Sequence, residues 1–356
     1  MNVGILGTGA IANKHAQAYK NIGFEVAACS NRAETRGREF ANRWGAAFVP
    51  DFRELCRYPG LDYIDVCTFP DVRLEPVEIC ASIGRAVLVQ KPMAASLECG
   101  RQIVEIARRA GIQLGVVSQH RFDDSTLFLK RALAAERLGK LLQADAYVKW
   151  FRSDEYYARP AKGTWQTEGG GALINQAIHQ VDILLHLAGP VANVAGQWQL
   201  GATRKIESED IVNALVSYES GATGVIQAAT AFWPGYPERI EIHGAKGTAI
   251  ISGDRLTSWD VLDDERANAA DPAPVAQDVA SGSSDPMAIA LTPFERQFED
   301  FADAIRTGRE PSVNGEEGYR ALELVTAIYE SCREQKHIRP SELQSSSLKT
   351  SSCRTS

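Results

Sequence analysis

The chain has 356 residues, 44% of them hydrophobic and 23% charged, with a formal net charge of -7. That length exceeds what one core ordinarily supports and predicts two domains of a normal globular protein. The acidic balance excludes the basic face a nucleic-acid partner needs, and no apolar run reaches the length of a bilayer span, so neither nucleic acid nor membrane is expected as a partner.

An apolar strand over 2–6 runs into Gly7-Thr8-Gly9-Ala10-Ile11-Ala12 and then a helix over 12–22. In such a G-x-G-x-x-A turn, Gly7 supplies a backbone without Cβ and Gly9 lets a pyrophosphate approach the main chain. The small Ala12 lets helix and strand pack closely. The helix start turns unpaired N–H groups toward the phosphates, so Gly7, Thr8, Gly9, Ala10 and Ile11 are candidate cofactor-binding residues. Further strands are predicted over 24–30, 63–67, 86–89 and 113–117, with helices over 35–44, 52–57, 76–83 and 97–110. Alternation of this kind specifies a doubly wound parallel sheet with helices on both faces.

The second strand ends in Ser30-Asn31-Arg32, where an NAD-preferring site usually has an acid for the ribose hydroxyls. Here Ser30 can donate to a 2'-phosphate and Arg32 can pair with it or lie over the adenine. The cofactor is therefore NAD or NADP, with NADP favoured. Val87-Leu88-Val89-Gln90-Lys91-Pro92 puts a lysine at the carboxyl end of a buried strand, where open α/β sheets keep their ligands. There Lys91 can hold a substrate hydroxyl or shuttle its proton, and the bond to Pro92 can be cis.

After Gln119-His120-Arg121 the pattern changes. A helix over 126–136 and a strand over 143–151 precede a Tyr/Trp-rich stretch containing Tyr156, Lys162 and Trp165, which suits either a sugar site or a dimer contact. Gly169-Gly170-Gly171 leads into a helix over 172–187, on which Asn175 and His179 share a face one turn apart. The glycines permit close approach to cofactor or substrate. His179 can act as a general base, oriented by Asn175 or, through its other nitrogen, by Asp182. Strands over 191–200, 210–218, 223–230, 239–243 and 247–252 predict an α+β domain with a large open, mostly antiparallel sheet, one face under helices and the other available for oligomerisation. A loop over 264–286, amphipathic helices over 294–306 and 318–333, and a disordered tail over 341–356 complete the chain. The expected domains are thus 1–120 and 121–340. Seven cysteines without metal-ligand spacing are expected to be reduced thiols with no disulfide and no metal. With no signal-peptide pattern at the start, a cytoplasmic location is expected.

The Gly7 turn, the Lys91-Pro92 pair, the Gln119-to-Arg121 crossover and the Gly-Gly-Ala-Leu-Ile-Asn175-Gln-Ala-Ile-His179 helix stand in the order and at the spacing of the Gfo/Idh/MocA oxidoreductases, which residues 2–338 resemble. The resemblance implies an N-terminal Rossmann domain, a C-terminal domain with a large open sheet often paired across subunits, and hydride transfer between NAD(P) and a carbon of a sugar, inositol or related polyol. It implies Lys91, His179 and Asn175 as catalytic residues, and Thr68, Phe69, Pro70, Gln90, Lys91 and Gln119 around the cofactor. Arg121, Tyr156, Trp165, Lys91, Asn175 and His179 would meet the substrate, in a homodimer or homotetramer. The chain departs from the family pattern at Gln90, where glutamate is usual, at Asn175, often aspartate, and in Thr68-Phe69-Pro70-Asp71-Val72-Arg73-Leu74, which lacks a histidine often found there. An NAD-dependent glycosidase of the same fold and a non-catalytic nucleotide sensor are the alternative readings, the latter at odds with the presence of both Lys91 and His179.

Overall fold

The computed structural model describes residues 1–262 and 290–345. The loop expected over 264–286 lies outside the described residues, as does the tail beyond 345. The first residues of that tail close a short 3-10 helix, Pro340–Ser345.

The first compact unit comprises residues 1–119 and 290–322. Its strands β1 (Asn2–Leu6), β2 (Glu25–Ser30), β3 (Ala47–Phe48), β4 (Tyr63–Val66), β5 (Ala86–Val89) and β6 (Leu114–Val116) form a parallel sheet in the order β3-β2-β1-β4-β5-β6. Helices α1 (Ala10–Asn21), α2 (Glu34–Trp44), α3 (Phe52–Arg57), α4 (Leu74–Ser82) and α5 (Leu97–Ala110) alternate with them. Strands β4 and β5 are buried at every residue, which is why each is a continuous apolar run broken only by Asp65. Asp51 and Ser96 cap α3 and α5 through their side chains, and left-handed Gly45 and Gly111 end α2 and α5. Strand order reverses between β1 and β4, so a crevice opens at the carboxyl ends of these two strands.

The second unit contains residues 120–262 and 323–345 of the described chain. Helix α6 (Asp124–Ala134) leads to β7 (Leu141–Lys149), followed by the short helices α7 (Asp154–Tyr157) and α8 (Trp165–Glu168). A π-helical turn (Leu173–Ala177) then runs into α9 (Ile178–Ala188). Strands β8 (Val191–Leu200), β9 (Glu209–Tyr218), β10 (Thr223–Ala229), β11 (Arg239–Gly244), β12 (Gly247–Ser252) and β13 (Arg255–Val261) complete a seven-stranded sheet ordered β13-β12-β11-β7-β10-β9-β8. Only the β7–β10 pair is parallel; every other pairing is antiparallel. Alternation along the strands sends Ala144, Ala146, Val148, Val212, Val216, Ile240 and Ile242 into the core under α9 and the π-helical turn before it.

Helix α10 (Thr292–Thr307) belongs to the first unit, although a division of the sequence at 120 assigns it to the second. Its apolar stripe explains the return. Phe294 and Phe298 pack on His15, Phe298 stacks on Tyr19 at 4.3 Å, and Phe301 meets Tyr63 edge-on. Helix α11 (Gly315–Glu334) follows. Among the described cysteines Cys29, Cys56, Cys67, Cys80 and Cys332 are free. Cys99 is disulfide-bonded, which corrects the expectation of no disulfide; sequence spacing carries no information on such a pairing. No helix among the described residues is long and apolar enough to cross a membrane.

Candidate active site

At the carboxyl ends of the parallel strands, the Gly7 turn takes the form its sequence demands. Gly7 has φ +90°, and a Cβ there would press on the backbone of Cys67 at 3.0 Å. A Cβ at Gly9 would meet nothing within 4 Å, so the main chain stands open at the start of α1, whose N-cap carries no side-chain hydrogen bond. Ala12 is fully buried, as close helix packing requires. Thr8, Thr68 and Gln119, all expected around a cofactor, each bury a side-chain oxygen with no hydrogen-bond partner. Buried polar oxygens are ordinarily paired. Three orphans in the residues that follow β1, β4 and β6, together with the open Gly9 backbone, fit a dinucleotide whose phosphates, ribose and amide supply the missing partners.

The residues after β2 are arranged differently from expectation. Ser30 is 1% exposed and its hydroxyl donates to the Pro50 carbonyl at 3.3 Å, so it is not turned out toward a 2'-phosphate. Asn31 donates to the Ala33 carbonyl, and Arg32 alone of the three is exposed. Of the two residues expected at a 2'-phosphate, Arg32 alone is therefore open to one. Phe69 is 45% exposed at the start of a 3-10 turn, Pro70–Val72. Beyond β5, half-buried Lys91 stands between buried Gln90 and Pro92, and the Lys91–Pro92 bond is cis.

In the second unit, every residue from 171 to 184 is buried except Asn175 and His179, which are half-exposed. The π-helical turn contains Asn175 and ends two residues before His179, and such one-turn bulges accumulate at functional sites. The glycines before it serve a purpose other than ligand approach. Gly170 has φ +150°, and a Cβ there would lie 2.4 Å from the Tyr329 hydroxyl; one at Gly171 would lie 1.9 Å from the Glu209 carbonyl. The space belongs to an anchor. Glu209 is fully buried; its carboxylate accepts the N–H of Gly171 at 2.7 Å, the N–H of Leu173 at 2.8 Å and the Tyr329 hydroxyl at 2.8 Å. Burial pushes this carboxyl up to about 7 against those stabilising donors.

Asp182 is engaged from the crossover segment. It holds Arg121 in a buried two-point ion pair, Nε to Oδ2 at 2.7 Å and Nη2 to Oδ1 at 2.5 Å, with Arg121 5% exposed. The guanidinium expected at the substrate is thus closed on a carboxylate. The ring beside His179 is His120, edge-on at 5.1 Å between centroids, and His120 Nδ1 lies 2.7 Å from Asp123 Oδ2. Sequence reasoning did not single out this pair, although a histidine and an aspartate three residues apart in the crossover segment are a legible signal.

Trp165, expected at the substrate, packs instead against Trp198 and Tyr329 and donates its indole N–H to the Glu207 carbonyl at 3.0 Å. It buttresses the anchor. Tyr156 receives a hydrogen bond from Gln176 Nε2 at 3.0 Å, which places it next to the helix of His179, with Arg159 and Lys162 over its ring. Lys162 pairs with buried Glu168.

Two family models match the chain: an oxidoreductase family with an NAD-binding Rossmann fold over residues 1–118, and the GFO/IDH/MocA C-terminal domain over residues 126–250. The D-apiose dehydrogenase of Paraburkholderia graminis is 27% identical over 96% of this chain and 90% of its own length. The myo-inositol 2-dehydrogenase of Thermotoga maritima is 27% identical over 96% of this chain and 99% of its own. Among solved structures, the WlbA dehydrogenase of Bordetella pertussis in complex with NADH and UDP-GlcNAcA is 28% identical, with a TM-score of 0.82 over 95% of this chain and 98% of that one. A dinucleotide-fitted parallel sheet, a mostly antiparallel seven-stranded sheet, the two family matches and likeness along nearly the whole length lead to one assignment: the chain belongs to the GFO/IDH/MocA oxidoreductase family.

Proposed function

We propose that the protein is a cytoplasmic NAD(H)-dependent dehydrogenase that moves a hydride between the nicotinamide and a carbinol carbon of a sugar, sugar derivative or inositol. The observation that carries this reading is that, in the otherwise buried stretch 171–184, Asn175 and His179 alone are partly open. The bound nicotinamide supplies the hydride acceptor. Lys91 donates a hydrogen bond to the substrate oxygen and stabilises the negative charge that grows on it. His179 takes the hydroxyl proton, and Asn175, one turn earlier, binds a neighbouring hydroxyl or orients the ring. His120, anchored on Asp123, steadies the imidazole it packs against. The test is nicotinamide reduction by the purified protein across a panel of sugars, inositols and sugar acids. Absence of turnover on every member contradicts the reading. Release of an aglycone without net cofactor reduction favours a glycosidase.

NAD is the cofactor this reading favours over NADP. Its support is the buried Ser30, together with relatives at 28% and 27% identity seen with NADH. Steady-state kcat/KM is expected to be about tenfold or more higher with NAD, a difference of about 1.4 kcal/mol. Equal or reversed values contradict it.

The outward face of the seven-stranded sheet is the surface proposed to pair copies of the chain. Leu215 on β9 is 63% exposed there, with Ala195 and Val225 as its cross-strand neighbours. An apolar side chain so placed is expected to be covered by a second subunit. Leu215→Asp is expected to lower the mass measured by analytical ultracentrifugation to that of a smaller assembly; an unchanged mass counts against this face.

A further inference from the structure

Gln90 lies among buried groups from three separate elements. His15 on α1 is fully buried, with Nδ1 2.7 Å from Asp65 Oδ2 and Nε2 2.8 Å from Gln90 Nε2. Gln90 Oε1 lies 3.0 Å from the backbone nitrogen of Lys91. A backbone N–H only donates, so the oxygen of the Gln90 amide is fixed on that side and its Nε2–H donates to His15. His15 Nε2 is therefore the acceptor, and the ring proton sits on Nδ1 and donates to Asp65. Every donor in the series points one way, from Lys91 through Gln90 and His15 to the Asp65 carboxylate, an arrangement in which each bond polarises the next. The Tyr19 hydroxyl, 2.8 Å from the same Asp65 oxygen, donates to it as well. Arg73, 3% exposed, holds the turn from another direction: its guanidinium donates to the backbone carbonyls of Gln90, Pro92 and Thr68.

We propose that Gln90 is a positioning residue for Lys91: its amide links the buried Asp65–His15 pair to the Lys91 backbone while Arg73 grips the carbonyls on either side, fixing the turn from which the lysine projects. The proposal rests on the role given to Lys91 above. An acceptor at position 90 holds the Lys91 N–H, and an amide there also serves a His15 protonated on one nitrogen only. A carboxylate there has no N–H to give, so His15 would have to donate from both nitrogens and become an imidazolium between two carboxylates.

The ring of His15 reports the arrangement without any turnover. In 15N-histidine-labelled protein, with the His15 signals identified by their loss in His15→Gln, the wild type is expected to show a protonated Nδ1 and an unprotonated Nε2. Gln90→Glu is expected to show both nitrogens protonated. In kinetics, Gln90→Leu is expected to lower kcat about 10- to 100-fold with the cofactor KM within about threefold, the cost of misplacing a catalytic group by a fraction of an ångström to one ångström. Gln90→Glu, which keeps an acceptor for the Lys91 N–H, is expected to recover most of that loss. A protonated Nε2 in the wild type, a singly protonated His15 in Gln90→Glu, or a Gln90→Leu kcat within about twofold of wild type overturns the proposal. If Gln90→Leu fails to fold, the two spectra still decide it. Unchanged turnover in Lys91→Ala would instead overturn the role of Lys91, leaving the predicted protonation of His15 intact.

Discussion

Lys91→Ala is expected to lower kcat by about 100- to 10,000-fold, and His179→Ala by a similar factor, with both variants retaining their fold. The reasons differ. Removing the ammonium takes away the group proposed to hold the substrate oxygen, and no other cation in the Lys91 turn substitutes for it, because Arg73 is committed to three backbone carbonyls. Removing the imidazole takes away the proposed proton acceptor, so turnover of His179→Ala is expected to recover at higher pH as hydroxide replaces the base. The double variant is expected to lose little more than either single one, since the two side chains serve one transition state. Both side chains are half-exposed, so neither loss resembles the emptying of a core. Single-turnover rates with saturating NAD and substrate measure these effects, and a loss of less than about fivefold in both variants contradicts the assigned roles.

Glu209→Ala is expected to cost about 3–5 kcal/mol of stability, because it leaves the N–H groups of Gly171 and Leu173 and the Tyr329 hydroxyl without their buried acceptor. Activity is expected to fall with it, since the same carboxylate sets the start of the segment that carries Asn175 and His179. Gly171→Ala drives a Cβ to 1.9 Å from the Glu209 carbonyl and is expected to be at least as damaging. Glu209 also imposes a pH dependence whose sign follows from its burial. Its carboxyl sits at about 7 in the folded chain against 4.5 for the ordinary group. Below about 4.5 both states hold the proton; from there to about 7 the folded state holds more protons than the unfolded one. Stability therefore falls as pH rises through that window, by about 3 kcal/mol in all for this group. Glu209→Gln removes this slope. Urea unfolding of wild type and Glu209→Gln at several pH values measures it, and parallel pH profiles contradict the account.

The first unit was legible because buried parallel strands read as apolar runs and their helices end in capping residues and glycines. Strand β3, two residues long, carries too little pattern to be seen, and β13 alternates weakly through Arg255, Thr257 and Ser258. The return of α10 to the first unit was not legible either. A stripe at Phe294, Phe298 and Phe301 shows that one face is buried and is silent on what covers it. In the site, the order of the Gly7 turn, Lys91 and His179 could be read directly, since each is a local pattern. The purpose of Gly170 and Gly171 could not, because the groups that claim their space, Tyr329 and the Glu209 carbonyl, come from distant parts of the chain. Arg121 was expected at the substrate from its place in the crossover segment and Trp165 from the aromatic stretch before the helix; the partners they also have, Asp182 and the Trp198–Tyr329 pair, are assembled only by folding. The π-helical turn likewise leaves no trace in an apolar period.

The most direct measurement for the central claim is hydride tracking with a substrate of the sugar or inositol class deuterated at the carbinol carbon. The account predicts that deuterium appears at the nicotinamide ring carbon in one-to-one amount with the ketone formed, that turnover slows relative to the undeuterated substrate, and that Lys91→Ala forms labelled nicotinamide at a rate lowered by the same factor as its kcat. Deuterium retained on the product or lost to water, with no label in the nicotinamide, would contradict it.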